Sequence, residues 1–200
     1  AAREEDIVYR SGAKPTDLIC VTGNLGAAYM GLQLLEREKR VFAGEQGDFE
    51  PDFAEHEYIL ERQLRPEARQ DIIRLLQEKG LRPTAMIDSS DGLASELLHL
   101  AKESEVGVRI YEERLPIDLE THRMAEELNM STTTVAMNGG EDFELIFTVP
   151  LAELDRLKEL DGIHIIGHIT APGQGCYLVT PDGAELKLRA QGWPEESSEE

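Results

Sequence analysis

Apolar positions change their period several times along the chain, and each change marks an element. Leu18-Ile-Cys-Val-Thr22 is a short apolar run that predicts a strand, and Gly23-Asn24 opens a Gly- and Ala-rich stretch that predicts a helix to about Glu38. Further helices are predicted from about Phe53 to Arg62 and from Glu67 to Lys79, the second following Pro66 at a first-turn position. Thr84 to Asp88 reads as a strand and Val106 to Tyr111 as another. Between them, Leu93, Ala94, Leu97, Leu98 and Ala101 recur at helical spacing, which predicts a helix from Asp91 to Glu103. A helix is expected from about Leu119 to Leu128. The last third predicts a strand Phe143 to Val149, a helix Leu151 to Leu160 and a strand Ile163 to Ile169. It closes with a hairpin in which Pro181-Asp182-Gly183 turns Cys176–Thr180 onto Ala184–Leu188. Alternating strands and helices with an antiparallel ending predict an α/β (α+β) domain, a layered sandwich around a mixed sheet.

The 200 residues, 40% of them hydrophobic, suffice for one substantial domain with its own core. No apolar run is long enough to span a bilayer, and the start Ala1-Ala-Arg-Glu-Glu-Asp is too charged for a secretory signal. The absence of an initiator Met reads as a processed or truncated product. Two distant cysteines, Cys20 and Cys176, lack metal-type spacing and point to reduced thiols and a cytoplasmic setting.

Charge narrows the partners. With 40 acidic against 20 basic residues the formal net charge is −20, which argues against nucleic acid and anionic membrane surfaces. An acidic chain that handles phosphates needs cations. Part of the excess lies between Glu45 and Glu61, and part in the tail 194–200, which reads as solvated and disordered.

The densest chemistry follows the second predicted strand. In Ile87-Asp88-Ser89-Ser90-Asp91-Gly92-Leu93 two carboxylates stand three residues apart where a strand gives way to a helix. A helix N-terminus attracts phosphate, whereas two Asp side chains repel it unless a divalent cation lies between; hard oxygen ligands suit Mg²⁺. The plainer alternative is that Ser89 or Ser90 caps the helix and Asp91 favours its dipole. A second stretch, Asn138-Gly139-Gly140-Glu141-Asp142-Phe143-Glu144-Leu145, places Glu141 and Asp142 at the mouth of a strand beside a flexible Gly pair, with Phe143, Leu145, Phe147 and Val149 expected on one face. Its alternative is an Asn-Gly turn opening a hairpin. His164 and His168 are expected on one solvent-facing side of their strand, without forming a metal set.

Together these stretches resemble a known family. Tyr9-Arg10-Ser11-Gly12-Ala13-Lys14-Pro15 with Asp17 to Gly23, then Asp88-Ser-Ser-Asp91-Gly92-Leu93, then Gly139-Gly-Glu141-Asp142-Phe143-Glu144-Leu145, are similar in order and spacing to the thiamine-monophosphate kinases. These belong to the wider aminoimidazole-ribonucleotide synthetase superfamily. The resemblance runs from about Tyr9 to Trp193. It implies the α/β sandwich of that superfamily's C-terminal domain, and an ATP-dependent phosphorylation of thiamine monophosphate to thiamine diphosphate with several Mg²⁺ ions. It further implies that Asp88 and Asp91 are metal ligands, that Arg10 and Ser90 contact ATP, and that Glu141 and Trp193 contact the substrate.

The resemblance also implies a division of the chain. Residues 1–15 would connect to an N-terminal domain that carries further acidic motifs and the main contact of a homodimer, 16–193 would form the C-terminal domain, and 194–200 the acidic tail. The chain departs from the family's usual pattern where Gln63 and Ala68 interrupt a His-Leu-Arg-Pro-x-Pro-Arg run, and after Trp193, where Pro194-Glu195-Glu196 replaces a His-Phe ending. Two other readings follow from the residues: another ATP-using enzyme of the same superfamily, and a non-catalytic acidic module that binds cations.

Overall fold

The computed structural model describes residues 7–44 and 53–190. Trp193, the tail 194–200, and Asp48, Glu50 and Asp52 of the acidic loop lie outside the described residues. Seven strands form one mixed sheet in the order β2-β4-β1-β5-β3-β6-β7. They are β1 (Leu18–Thr22), β2 (Ala85–Asp88), β3 (Gly107–Tyr111), β4 (Leu145–Val149), β5 (Ile163–Thr170), β6 (Cys176–Val179) and β7 (Glu185–Lys187). All neighbours pair antiparallel except β3 with β6. The α/β sandwich expected from the sequence is the fold observed, including the hairpin of β6 and β7.

Helices are α1 (Ala27–Gly44), α2 (Glu57–Leu64), α3 (Gln70–Glu78), α4 (Leu93–Ser104), α5 (Leu119–Glu127), α6 (Thr132–Asn138) and α7 (Leu154–Leu157). On one face of the sheet, Leu93, Leu97 and Leu100 of α4 pack with Ile19 and Val21 of β1, Ile146 of β4 and Ile110 of β3. On the other face, Ile72 and Leu76 of α3 and Leu157 of α7 cover Leu18 and Cys20 of β1 and Phe147 and Val149 of β4. Both faces of the central strands are therefore buried. That is why β1 is an unbroken apolar run, buried at every position, and why β4 carries apolar residues on both sides. A separate helical cluster joins Met30 and Leu34 of α1, Ile59 of α2, Met124 of α5 and Val135 of α6.

Four expectations are corrected. The region after β1 does not enter a helix at Gly23; residues 23–26 form a loop, with Gly23 and Gly26 at positive φ, before α1 starts at Ala27. The helix expected over Leu151 to Leu160 is a 3₁₀ turn, Leu151–Glu153, followed by the single-turn α7. Phe143 is not a core strand residue: it has φ of 51° and is 37% exposed. His164 and His168 do not share a face. A bulge in the β1–β5 ladder between Ile19 and Cys20 adds one residue to β5, so His164 stands opposite Val21 and His168 opposite Leu18, which belong to cores on opposite sides of the sheet. The helix α6 is not predicted by the sequence, because its run Thr132-Thr-Thr-Val has low helix propensity; Ser131 caps it by accepting from the Thr134 amide at 3.3 Å.

Candidate functional site

β2 lies at the edge of the sheet and pairs with β4 in the register Ala85–Thr148 through Asp88–Leu145. The pairing does not stop with the strands. The Ser89 amide donates to the Glu144 carbonyl at 2.7 Å, the Phe143 amide to the Ser89 carbonyl at 2.9 Å, and the Glu141 amide to the Ser90 carbonyl at 2.7 Å. This continuation brings Asp88, Ser90, Asp91 and Glu141, far apart in sequence, to one corner of the domain. Glycines permit the approach: a Cβ on Gly140 would stand 2.8 Å from the Ser90 carbonyl oxygen, and one on Gly92 3.0 Å from the Asn138 backbone. Both have positive φ, 72° and 101°. Asn138-Gly139 thus ends α6 and enters a crossing loop, and does not turn a hairpin.

At the junction Asp88 and Asp91 are exposed, Ser90 is half-buried and Ser89 is buried with its hydroxyl unpartnered. Neither serine caps α4. Its N-cap is Gly92, with no side-chain cap bond, and Glu96 reaches back instead, accepting from the Asp91 amide at 3.2 Å and the Ser90 hydroxyl at 3.4 Å. Glu96 is 3% exposed; burial pushes its carboxyl above the usual range, and the charges of Asp91 and Asp88 add to that while the Asp91 amide opposes it.

Beneath the second loop lie two buried anchors. Asp142, 2% exposed, accepts from the Gly26 amide at 2.7 Å and the Ala28 amide at 3.3 Å, capping α1 from a distant part of the chain. Burial raises its pKa to about 6 against the pull of those two amides and of Arg62. Glu144, 1% exposed, pairs with Arg62 at 2.9 Å and with Arg69 at 2.5 Å and also accepts from the Thr22 hydroxyl. Arg62 adds a bond to the Asp142 carbonyl at 2.9 Å. The α2–α3 segment is thereby tied to the mouth of the sheet, where Gln63 Nε2 donates to Glu141 Oε2 at 3.0 Å.

Arg10 is exposed in a segment that runs along β2: the Tyr9 carbonyl accepts from the Met86 amide at 2.9 Å. Its own carbonyl meets the Ser104 hydroxyl at 3.5 Å, at the C-terminal end of α4, whereas Ser90 and Asp91 sit at the N-terminal end of that helix. Two surface hollows flank this segment, about 420 Å³ beside Lys14, Arg82 and Thr84 and about 330 Å³ beside Ile73, Leu76 and Met86. Neither reaches the acidic corner.

The chain matches the AIR synthase related protein, C-terminal domain, over residues 14–179. It belongs to that family. Among curated relatives of this AIR synthase related domain, the thiamine-monophosphate kinase of Aquifex aeolicus is 33% identical over 178 residues, covering 84% of this chain and 54% of that protein. The Escherichia coli K12 thiamine-monophosphate kinase is 39% identical over 192 residues, covering 92% and 54%. The crystal structure of the Aquifex enzyme superposes with a TM-score of 0.71 at 32% identity, covering 90% of this chain and 54% of that one. A structure of AaThiL complexed with AMPPCP and TMP superposes at 0.70, covering 90% and 52%. The chain spans about half the length of the curated relatives it matches. A hydrogenase maturation protein HypE in complex with ATP, at 16% identity and a TM-score of 0.67, shares the fold.

The acidic corner of this AIR synthase related domain suits a cation shared with phosphate. Among the described residues no three His, Cys, Asp or Glu side chains converge to hold a metal by themselves. Two exposed carboxylates at a helix N-terminus would give a cation few protein ligands, which fits the chemistry of Mg²⁺, an ion that keeps waters and takes other ligands from phosphate oxygens. Sequence reasoning missed Glu96, Gln63 and the anchoring of Asp142 and Glu144. For Glu144 a signal existed, since a carboxylate between Phe143 and Leu145 at the start of a buried strand requires a partner. For Gln63 none existed, because its contact is set by the packing of α2.

Proposed function

We propose that this chain is the C-terminal domain of a thiamine-monophosphate kinase, forming part of a site that transfers the terminal phosphoryl group of ATP to thiamine monophosphate and yields thiamine diphosphate. The observation that carries the reading is the backbone pairing of Ser89 and Ser90 with Glu141, Phe143 and Glu144, which brings Asp88, Asp91 and Glu141 to one corner. Relatives 31–40% identical over most of the chain bear that enzyme's name, and one related structure is described as a complex with AMPPCP and TMP.

The acceptor is itself a phosphate, whose second pKa near about 6 leaves the attacking oxygen largely ionised at neutral pH. No strong general base is needed. The difficulty is bringing two anions together, and such transfers are helped mainly by positioning and charge neutralisation. Asp88 and Asp91 would hold Mg²⁺, which when bound there neutralises charge on the ATP phosphates. The α4 N-terminus presents its partial positive charge to the same place. Ser90, whose hydroxyl is directed by Glu96, and Arg10 contact the nucleotide; Glu141 pairs with the cationic acceptor, and Trp193 stacks on one of its two aromatic rings. Residues 16–193 act as the domain, and 1–15 connect it to the rest of a homodimeric, cytoplasmic enzyme. The free thiols of Cys20 and Cys176 support the cytoplasmic setting.

The test is to assay the protein carrying this chain for thiamine diphosphate formation from thiamine monophosphate, ATP and Mg²⁺. Stoichiometric product with ATP consumed only when the acceptor is present is the expected result. ATP turnover indifferent to thiamine monophosphate would overturn the reading in favour of another enzyme of the superfamily, and absence of nucleotide affinity in favour of a cation-binding module.

A further inference from the structure

Side chains of residues 141–144 alternate outward and inward, and the outward pair has its own chemistry. Asp142 and Glu144 are fixed inward by the Gly26 and Ala28 amides and by Arg62 and Arg69. Glu141 and Phe143 are left exposed, each in the left-handed region, with φ of 58° and 51°. That conformation is strained for a bulky side chain and persists only where the surroundings dictate it. Here they do: the amides of both residues are held by the Ser90 and Ser89 carbonyls, at 2.7 and 2.9 Å. The backbone thus holds an aromatic ring, 37% exposed, at the rim of the acidic corner. Gln63 steers the neighbouring carboxylate through its 3.0 Å bond to Glu141 Oε2.

A carboxylate and an aromatic face both favour positive charge, the first through its charge and the second through the ring quadrupole. Exposed two positions apart on one backbone-held loop, they suit a flat cation better than a neutral ring of the same shape. We propose that Phe143 supplies the π face against the cationic ring of the acceptor, beside the Glu141 carboxylate that Gln63 orients, and that the pair selects an aromatic cation. This rests on the kinase reading above and deepens it.

The experiment uses the complete kinase. Calorimetry measures dissociation constants for thiamine monophosphate and for its neutral analogue in which carbon replaces the charged ring nitrogen, in wild type, Phe143→Leu and Phe143→Tyr. Wild type is expected to prefer the cation; the leucine variant, which keeps apolar bulk without the quadrupole, loses roughly 3- to 30-fold of that preference. The tyrosine variant retains it, and the KM for ATP stays at the wild-type value in both. Equal preference in wild type and the leucine variant overturns the proposal, as does a KM for ATP that rises in step with weaker acceptor binding, the mark of a packing role. Wild-type enzyme that does not phosphorylate thiamine monophosphate identifies the kinase reading itself as the failure, before any variant is compared.

Discussion

Asp142 Oδ2 accepts a 2.7 Å hydrogen bond from the Gly26 amide, so the second acid of the Gly-Gly-Glu-Asp stretch caps α1 from beneath the site. Its neighbour Glu141 faces outward. Adjacent carboxylates in one motif therefore do different work, one holding the helix layer to the loop and one exposed and bonded to Gln63.

That cap gives a pH dependence with a definite sign. Burial raises the folded-state pKa of Asp142 to about 6 from an ordinary value of 3.8, so between these values the folded protein binds a proton that the unfolded chain has released. The stability this group contributes is greatest below the unfolded value and falls as pH rises from about 4 to about 6. Denaturant melts of wild type against Asp142→Asn across that range should show the difference moving against wild type with rising pH; a flat difference contradicts the raised pKa.

Asp88→Asn and Asp91→Asn should each lower turnover of the complete enzyme on the order of 100-fold and raise the Mg²⁺ concentration needed. Thermal melts should match wild type, because both side chains are exposed and α4 is capped by Gly92 and steadied by Glu96, not by them. Rates measured across Mg²⁺ concentrations check this; unchanged Mg²⁺ dependence in both variants removes them from the metal site.

Glu144→Ala should destabilise the fold by about 3–5 kcal/mol, because it strands Arg62 and Arg69 in a partly buried setting without their shared carboxylate. Equilibrium unfolding in urea reads the change. A loss below about 1 kcal/mol would place the pair in the class of weak surface ion pairs.

Gly140→Ala should separate the two acidic stretches. The added Cβ would lie 2.8 Å from the Ser90 carbonyl at a φ of 72°, and positive φ alone costs about 1–3 kcal/mol for a residue with a side chain. Hydrogen exchange at the Glu141 and Phe143 amides, now protected by Ser90 and Ser89, should accelerate. Unchanged protection would mean the loops tolerate the side chain without parting.

The 200 residues by themselves should unfold in one cooperative transition, given a sheet covered on both faces, yet form thiamine diphosphate at no useful rate. Losing positioning groups for two polyanions removes many powers of ten from such a reaction. Circular dichroism melts and a product assay against a complete relative decide both halves, and comparable turnover by the short chain would refute the division of the site.

Local pattern determined much on its own. The apolar run of β1, the helical spacing of Leu93, Leu97 and Ala101 in α4, and the Pro181-Asp-Gly turn between β6 and β7 are read correctly because period and turn chemistry act over a few residues. The acidic junction was legible for the same reason: Asp88 and Asp91 flank a strand-to-helix change visible within ten letters. The tertiary structure alone decided what lies opposite what. A single bulge against Ile19 and Cys20 puts His164 and His168 on different faces, and no local signal announces it. Likewise Asp142, which the sequence places at the strand mouth beside Glu141, is turned inward together with Glu144, because the Gly26 amide and the guanidinium groups of Arg62 and Arg69 arrive from elements 75 or more residues away. That same inward turn exposes Phe143, which alternation along the strand would have buried. Side-chain roles at this corner are set by long-range hydrogen bonds to buried charge, and such partners are chosen by packing, not by spacing along the chain.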